Sequence, residues 1–130
     1  MLVVDASALV ELLLNRPTAA RLRERLRRSG EMLHAPYLLD LEVLQVLRRH
    51  WLVGEIDDER ARKAIRYHRD LRIKRYPHHW FLARVWELRF NFTAYDAMYV
   101  VLAEALQAPL VTYDLRIATA AERFVSVEVP

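Results

Sequence analysis

Four acids stand where a folded chain would use them for more than solubility. Asp5 ends the apolar run Leu2–Val4, and Glu42 lies inside a helix-patterned segment. Asp96 opens the apolar stretch from Phe92 to Leu106, and Asp114 follows Leu110–Thr112. An ionised carboxylate at the mouth of a buried element must be capped, paired or bound to a cation. Each acid has a plain structural use. Asp5 and Asp114 suit helix N-caps, and Asp96, three residues after Thr93, fits the start of a capped helix. Glu42, Gln45 and Arg49 fit the wet stripe of a leucine-rich helix. Together the acids admit a second use. Carboxylates in one crevice repel one another and raise each other's pKa unless a cation intervenes. Hard oxygen donors with few partners suit Mg²⁺ or Mn²⁺. Such a set supports metal-assisted hydrolysis of a phosphodiester, in which the pKa of a water falls and charge on the leaving oxygen is neutralised. Asp40 lies about 160° from Glu42 on the helical wheel and does not substitute for it.

The elements that would position these acids follow from periodicity and stop signals. Leu2–Val4 reads as a buried strand, and Asp5-Ala6-Ser7 opens a helix through about Leu14. Thr18 is expected to cap a second helix, Ala19 to Arg28, which stops at Ser29-Gly30. Met32–His34 reads as a strand, Leu38 to about Leu52 as a helix, and Asp57-Asp58 as the start of a helix to about Arg72. Pro77 separates that helix from a fifth, His78 to Arg89, and the apolar stretch carrying Asp96 is the sixth. Leu110–Thr112 is a strand, Asp114 leads into a short helix to Glu122, and Phe124–Val129 alternates as a last strand. Short apolar strands between helices imply an α/β fold of three layers, a mainly parallel sheet flanked by helices. Ligands bind beyond the carboxyl ends of such strands, so Asp5 and Asp114 are expected to face one crevice. One domain, residues 1–130, is expected.

Composition excludes several classes. A hydrophobic share of 54% and a charged share of 28% fit a globular chain, not a disordered one. No run approaches the ~18 apolar residues of a membrane span, so no membrane is expected as a partner. No cationic segment precedes a hydrophobic stretch at the start, so no secretory leader is expected. The lack of cysteine excludes disulfides and thiol catalysis and fits the cytoplasm. A net charge of +3 is compatible with a nucleic-acid partner without arguing for one. Gly30 and Gly54 are the only glycines, which rules out a P-loop or a dinucleotide fingerprint. Phosphate would have to be handled by side chains or a metal.

Four pieces run in order along the whole chain: Val3-Val4-Asp5-Ala6-Ser7-Ala8, Leu41-Glu42-Val43 with Leu47-Arg48-Arg49, Tyr95-Asp96-Ala97-Met98-Tyr99, and Val111-Thr112-Tyr113-Asp114. In that order and spacing the chain resembles the PIN-domain nucleases, most closely the VapC-type toxins of bacterial toxin–antitoxin systems. The resemblance implies a PIN-like domain and a sequence- or structure-selective endoribonuclease. It also implies that Asp5, Glu42, Asp96 and Asp114 hold divalent Mg²⁺ or Mn²⁺, with Ser7, Thr93 and Thr112 as supporting polar positions. Gln45 stands where many relatives carry asparagine, a departure that bears on the ion's surroundings rather than on activity. The implied partners are RNA and a VapB-type antitoxin whose tail fills the crevice. The implied assemblies are a homodimer and a toxin–antitoxin hetero-oligomer.

Other residues invite weaker assignments. The basic run from Arg60 to Arg75 reads first as a solvated face, with Ile56, Ala64, Tyr67 and Leu71 opposite it. Arg62, Arg66 and Arg69 are candidates for an RNA track, and Arg116 for a phosphate contact. His78 and His79 are adjacent on a helix and so do not face one another as a chelating pair. Trp51, Trp80, Phe81, Val85 and Trp86 are expected mostly in the core, a share of them lining an interface. Two rivals stand beside the ribonuclease: a catalytically idle PIN-like module acting through an antitoxin complex, and a DNA- or flap-directed nuclease of the same fold. A phosphotransfer receiver is weakened because no lysine follows Lys74.

Overall fold

The computed structural model of the chain describes residues 1–130. Strand β1 (Leu2–Val4) is buried at every position, as an unbroken apolar strand covered on both faces must be. It is the centre of a five-stranded sheet with β2 (Leu33–Pro36), β3 (Ile73–Tyr76), β4 (Leu110–Val111) and β5 (Val127–Glu128). The order is β3-β2-β1-β4-β5, and every pairing is parallel. Val3 and Val4 register with Leu110 and Val111 on one side, and Leu2 and Val3 with Leu33 and His34 on the other.

Parallel neighbours need crossovers, and helices supply them. Helices α1 (Ala6–Leu13) and α2 (Ala20–Ser29) link β1 to β2, while α3 (Leu39–Leu52) and α4 (Asp58–Asp70) link β2 to β3. Helices α5 (Leu82–Glu87) and α6 (Ala94–Leu106) link β3 to β4, and α7 (Leu115–Ala121) links β4 to β5. The chain steps outward from β1 to β3, then returns past β1 to β4 and β5. Right-handed crossovers in opposite directions place α1–α4 on one face and α5–α7 on the other. The reversal opens a crevice between β1 and β4 at their carboxyl ends. Helix α6 packs on β1, β2 and β4 and against α5, and every residue from Ala97 to Ala103 is buried. Its sequence has no polar face to offer water, and its position asks for none.

Several boundaries differ from expectation for physical reasons. The fourth helix stops at Asp70 rather than near Arg72, and β3 follows it where no strand was expected. Ile73–Tyr76 is an edge strand, and its Lys74 and Arg75 let the basic helical pattern run on unbroken in sequence. Thr18 does not cap α2. It lies in a 3₁₀ turn, Pro17–Ala19, and its hydroxyl bonds Glu11. The expected fifth helix is a 3₁₀ turn, His78–Phe81, followed by the short α5. Phe81 and Val85 pack on the core, but Trp51, Trp80 and Trp86 are exposed. On α4 the inward positions are Ala64 and His68, while Tyr67 is exposed. No helix is long and apolar enough to cross a membrane.

Asp40 ties α3 to α4 and β3. Its carboxylate accepts from Arg75 Nε at 2.9 Å and Nη2 at 2.8 Å, with His68 Nε2 at 2.6 Å. Burial would raise this carboxyl, but the bonds from Arg75 and His68 outweigh it and hold it below 3.8. Asp40→Ala should lower stability by about 1–3 kcal/mol in urea denaturation at pH 7, because it strands two donors. A carboxyl with a depressed folded-state value stabilises above its unfolded value and loses that contribution as pH falls through the folded one. The gap between wild type and Asp40→Ala should therefore close as pH drops below 3.8. A pH-independent gap would refute this account.

Candidate active site

Asp5 leaves β1 as the N-cap of α1 and is almost wholly buried. One carboxylate oxygen accepts from the Ser7 hydroxyl at 2.6 Å and from the Ala8 amide at 3.0 Å. The other accepts from the Thr112 hydroxyl at the end of β4. Both hydroxyls then serve the facing turn. Ser7 Oγ accepts from the Tyr113 amide at 2.9 Å, and Thr112 Oγ1 accepts from the Asp114 amide at 3.0 Å. The buried charge thus fastens the ends of β1 and β4 to each other. Asp114 is held by its own helix, as its carboxylate caps α7 through the Arg116 amide at 2.9 Å.

The other two acids arrive from opposite faces of the sheet. Thr93 caps α6 by accepting from the Asp96 amide at 3.1 Å, which fixes Asp96 in the first turn. Tyr99 lies one turn further on and is buried, and its hydroxyl donates to Glu42 Oε1 on α3 at 2.6 Å. Burial, then the Glu42 carboxylate, push the Tyr99 hydroxyl far up its range, so it remains a donor at neutral pH. Sequence reasoning assigned Tyr99 no role. Its i+3 spacing from Asp96 was the available signal, because it places the two side chains on one face of the helix.

Asp5, Glu42, Asp96 and Asp114 line one cleft of about 220 Å³, together with Ser7, Tyr99 and Arg116. Burial pushes the carboxyls of Asp5, Glu42 and Asp96 above their ordinary values. The charges of Asp96 and Asp5 add to the rise at Glu42, and that of Asp114 adds to the rise at Asp5 and Asp96. Arg49 and Arg116 are the cationic residues on the lining. No three acids form a ready-made ion cage. An open set of hard oxygen donors fits an ion that keeps several of its waters and takes few protein ligands, as Mg²⁺ does. Electrostatic self-repulsion and oxygen chemistry thus make the cleft a fit for a divalent cation.

The remaining candidates fall elsewhere. Gln45 is exposed on α3 and does not line the cleft. Val46 and Arg49 occupy the lining instead, because they lie closer to Glu42 in angle, about 40° and 20° against about 60°. Thr93 is exposed at the rim, where its hydroxyl accepts the Asp96 amide and tempers the rise of the Asp96 carboxyl. Arg62, Arg66 and Arg69 are exposed on α4, away from the cleft, with Arg62 bonded to Asp58 at 2.8 Å. Arg116 is at the site, highly exposed and 3.5 Å from Asp114. His78 accepts the Leu38 amide at 2.9 Å, which is a structural use.

Comparison with known proteins adds a lineage to this geometry. The PIN domain profile matches residues 2–123. The chain is 43% identical over 118 residues to a VapC ribonuclease of Mycobacterium bovis, covering 91% of this chain and 89% of that one. It is 47% identical over 119 residues to ribonuclease VapC1 of Mycobacterium tuberculosis, with the same coverage of both. Among solved structures it is similar to PAE2754 from Pyrobaculum aerophilum, with a TM-score of 0.71 and 24% identity over 97% of this chain and 81% of that one. It is also similar to VapC20 of Mycobacterium tuberculosis, a sarcin–ricin loop cleaving toxin, with a TM-score of 0.66 and 16% identity over 99% and 100% of the two chains.

A carboxyl whose folded-state value is raised destabilises the fold once it ionises. Asp96→Asn should therefore raise the melting temperature in EDTA at pH 7 by a few degrees, at about 2–5 °C per kcal/mol for a domain of this size. Tyr99→Phe should lower it by a similar amount, since it removes a bond to a charged group. Calorimetry of the two variants beside wild type checks both signs. A lower melting temperature for Asp96→Asn would mean that this acid is a structural cap.

Proposed function

We propose an activity from one premise: the chain belongs to the PIN-domain family. It is a ribonuclease of the VapC toxin type, which hydrolyses RNA phosphodiester bonds. The observation that supports this is the convergence of four carboxylates, from four separate segments, on the crevice where the strand order reverses. Asp5, Glu42, Asp96 and Asp114 would hold Mg²⁺ or Mn²⁺. Such an ion supplies Lewis acidity, lowering the pKa of water and neutralising charge on the phosphodiester oxygens.

The chain's own residues do the rest. Ser7 and Thr112 donate to Asp5 and so aim its lone pairs. Tyr99 donates to one oxygen of Glu42 and leaves the other free. Arg49 and Arg116 flank the acids and give a phosphate its counter-charge. A carboxylate of the cluster can also orient the attacking water by accepting its proton. The intact acid set is costly to fold and gives an idle binding module no benefit. Relatives that carry the ribonuclease name favour RNA over DNA.

The partners follow from the same reading. A VapB-type antitoxin would cover the crevice, and exposed Trp51, Trp80 and Trp86 give apolar surface for a homodimer and for the toxin–antitoxin complex. RNA as substrate and a cysteine-free chain support a cytoplasmic setting. Light scattering of the purified chain should return a dimer mass, and a monomer at micromolar concentration would contradict the homodimer.

Incubation of total RNA with purified protein and Mn²⁺ should give discrete cleavage that EDTA abolishes. Asp96→Asn should cut the rate at least about 100-fold, more than the loss of a residue that only supports a ligand. Calorimetric titration should show Mn²⁺ binding weakened in the same variant. Undiminished cleavage by Asp96→Asn would overturn the reading, as would cleavage of DNA but not RNA.

A further inference from the structure

The six-residue turn between α5 and α6 is built to hold an aromatic ring in water. Leu88 and Phe92 are buried anchors, and the amides of Asn91 and Phe92 both donate to the Leu88 carbonyl, at 3.0 and 3.1 Å. Between these anchors Phe90 is 82% exposed, the most exposed large apolar residue of the chain. Arg89 lies against it. The guanidinium carbon is 4.5 Å from the Phe90 ring centroid and 4.7 Å from that of Trp86, and Nη1 donates to the Trp86 carbonyl at 3.0 Å. A cation layered between two rings is a stacking surface already ordered before anything binds.

This surface adjoins the acids. Arg89 and Phe90 line a cleft of about 400 Å³ that also includes Asp96, Asp114 and Arg116. The last three line the acidic cleft as well, so the two hollows are continuous. We propose that Phe90, backed by Arg89, is the subsite for an unpaired RNA base next to the scissile phosphate. The inference rests on the ribonuclease reading above. A strand whose phosphate lies at the acids and Arg116 has its neighbouring nucleotide over this second hollow. A base offers the flat face that an exposed phenyl ring can cover, and Arg89 and Arg116 offset the phosphate charge beside it. A base inside a duplex has both faces occupied, so the subsite selects single-stranded segments, loops or splayed-out bases.

The test is fluorescence anisotropy of the full chain with a labelled, unstructured 12-nucleotide oligoribonucleotide, in Ca²⁺ to hold chemistry back, beside the same sequence as a duplex. Phe90→Ala and Phe90→Leu should each weaken single-strand binding about tenfold. Phe90→Trp should keep it within about twofold, and the duplex should bind all four proteins alike. Leucine binding as well as phenylalanine, or an equal loss on the duplex, would overturn the subsite and leave the ring as an apolar contact for a polypeptide. Cleavage of the same oligonucleotide by wild type in Mn²⁺ is scored separately. Cleavage that persists without any Phe90 effect on binding overturns the subsite alone. A Phe90 effect on binding supports the subsite even where this oligonucleotide is not cut, and the ribonuclease reading is then decided by the digest of total RNA.

Discussion

The structure depends on one buried charge. Asp5 takes three hydrogen bonds, from Ser7, Ala8 and Thr112, and two of those donors also accept amides from the turn after β4. A buried carboxylate left unpaired is among the costliest groups a fold can carry. Satisfying it requires the ends of β1 and β4 to sit side by side in one register. The same requirement brings Asp114 to the crevice, because its amide is part of the clamp. The acid that anchors the fold and the acid that opens the cleft are therefore the same residue, and Asp5 cannot be assigned to structure or chemistry alone.

Around that clamp, helix packing decides which side chains arrive. Helix α6 delivers Asp96 and Tyr99 from one face of the sheet, and α3 delivers Glu42 from the other. The Tyr99–Glu42 bond spans the crevice and joins the two layers beside the acid cluster. Arg49 and Arg116 stay on the lining and form no ion pair inside the cluster beyond the 3.5 Å approach of Arg116 to Asp114. The charge is thus left for a ligand to neutralise.

Much of this was legible in the sequence. Asp5 and Asp114 end apolar strands, so their convergence followed from the rule for parallel sheets, whereas Asp96 and Glu42 joined them through the family resemblance. Glu42 was separable from Asp40 by angle alone, and Asp40 indeed faces Arg75 and His68 instead. What was hidden has particular causes. β3 carries the charges of an edge strand and merged with the basic helix before it. The tryptophans were read by residue type, but exposure depends on which layer covers them, and no layer covers Trp51, Trp80 or Trp86. Tyr99 looked like core because its ring is core. Only its hydroxyl reaches the site, and a hydropathy pattern does not resolve one atom.

Helix α6 has a consequence for control. Seven consecutive residues behind Asp96 are buried, so the helix cannot slide, rotate or fray at that end without opening the core. Asp5 is fixed just as firmly by its three donors. A centre seated in this way has no cheap inactive conformation to switch into. A restraint on such a centre would have to cover it, and its energy would come from the surface covered rather than from any rearrangement of the acids.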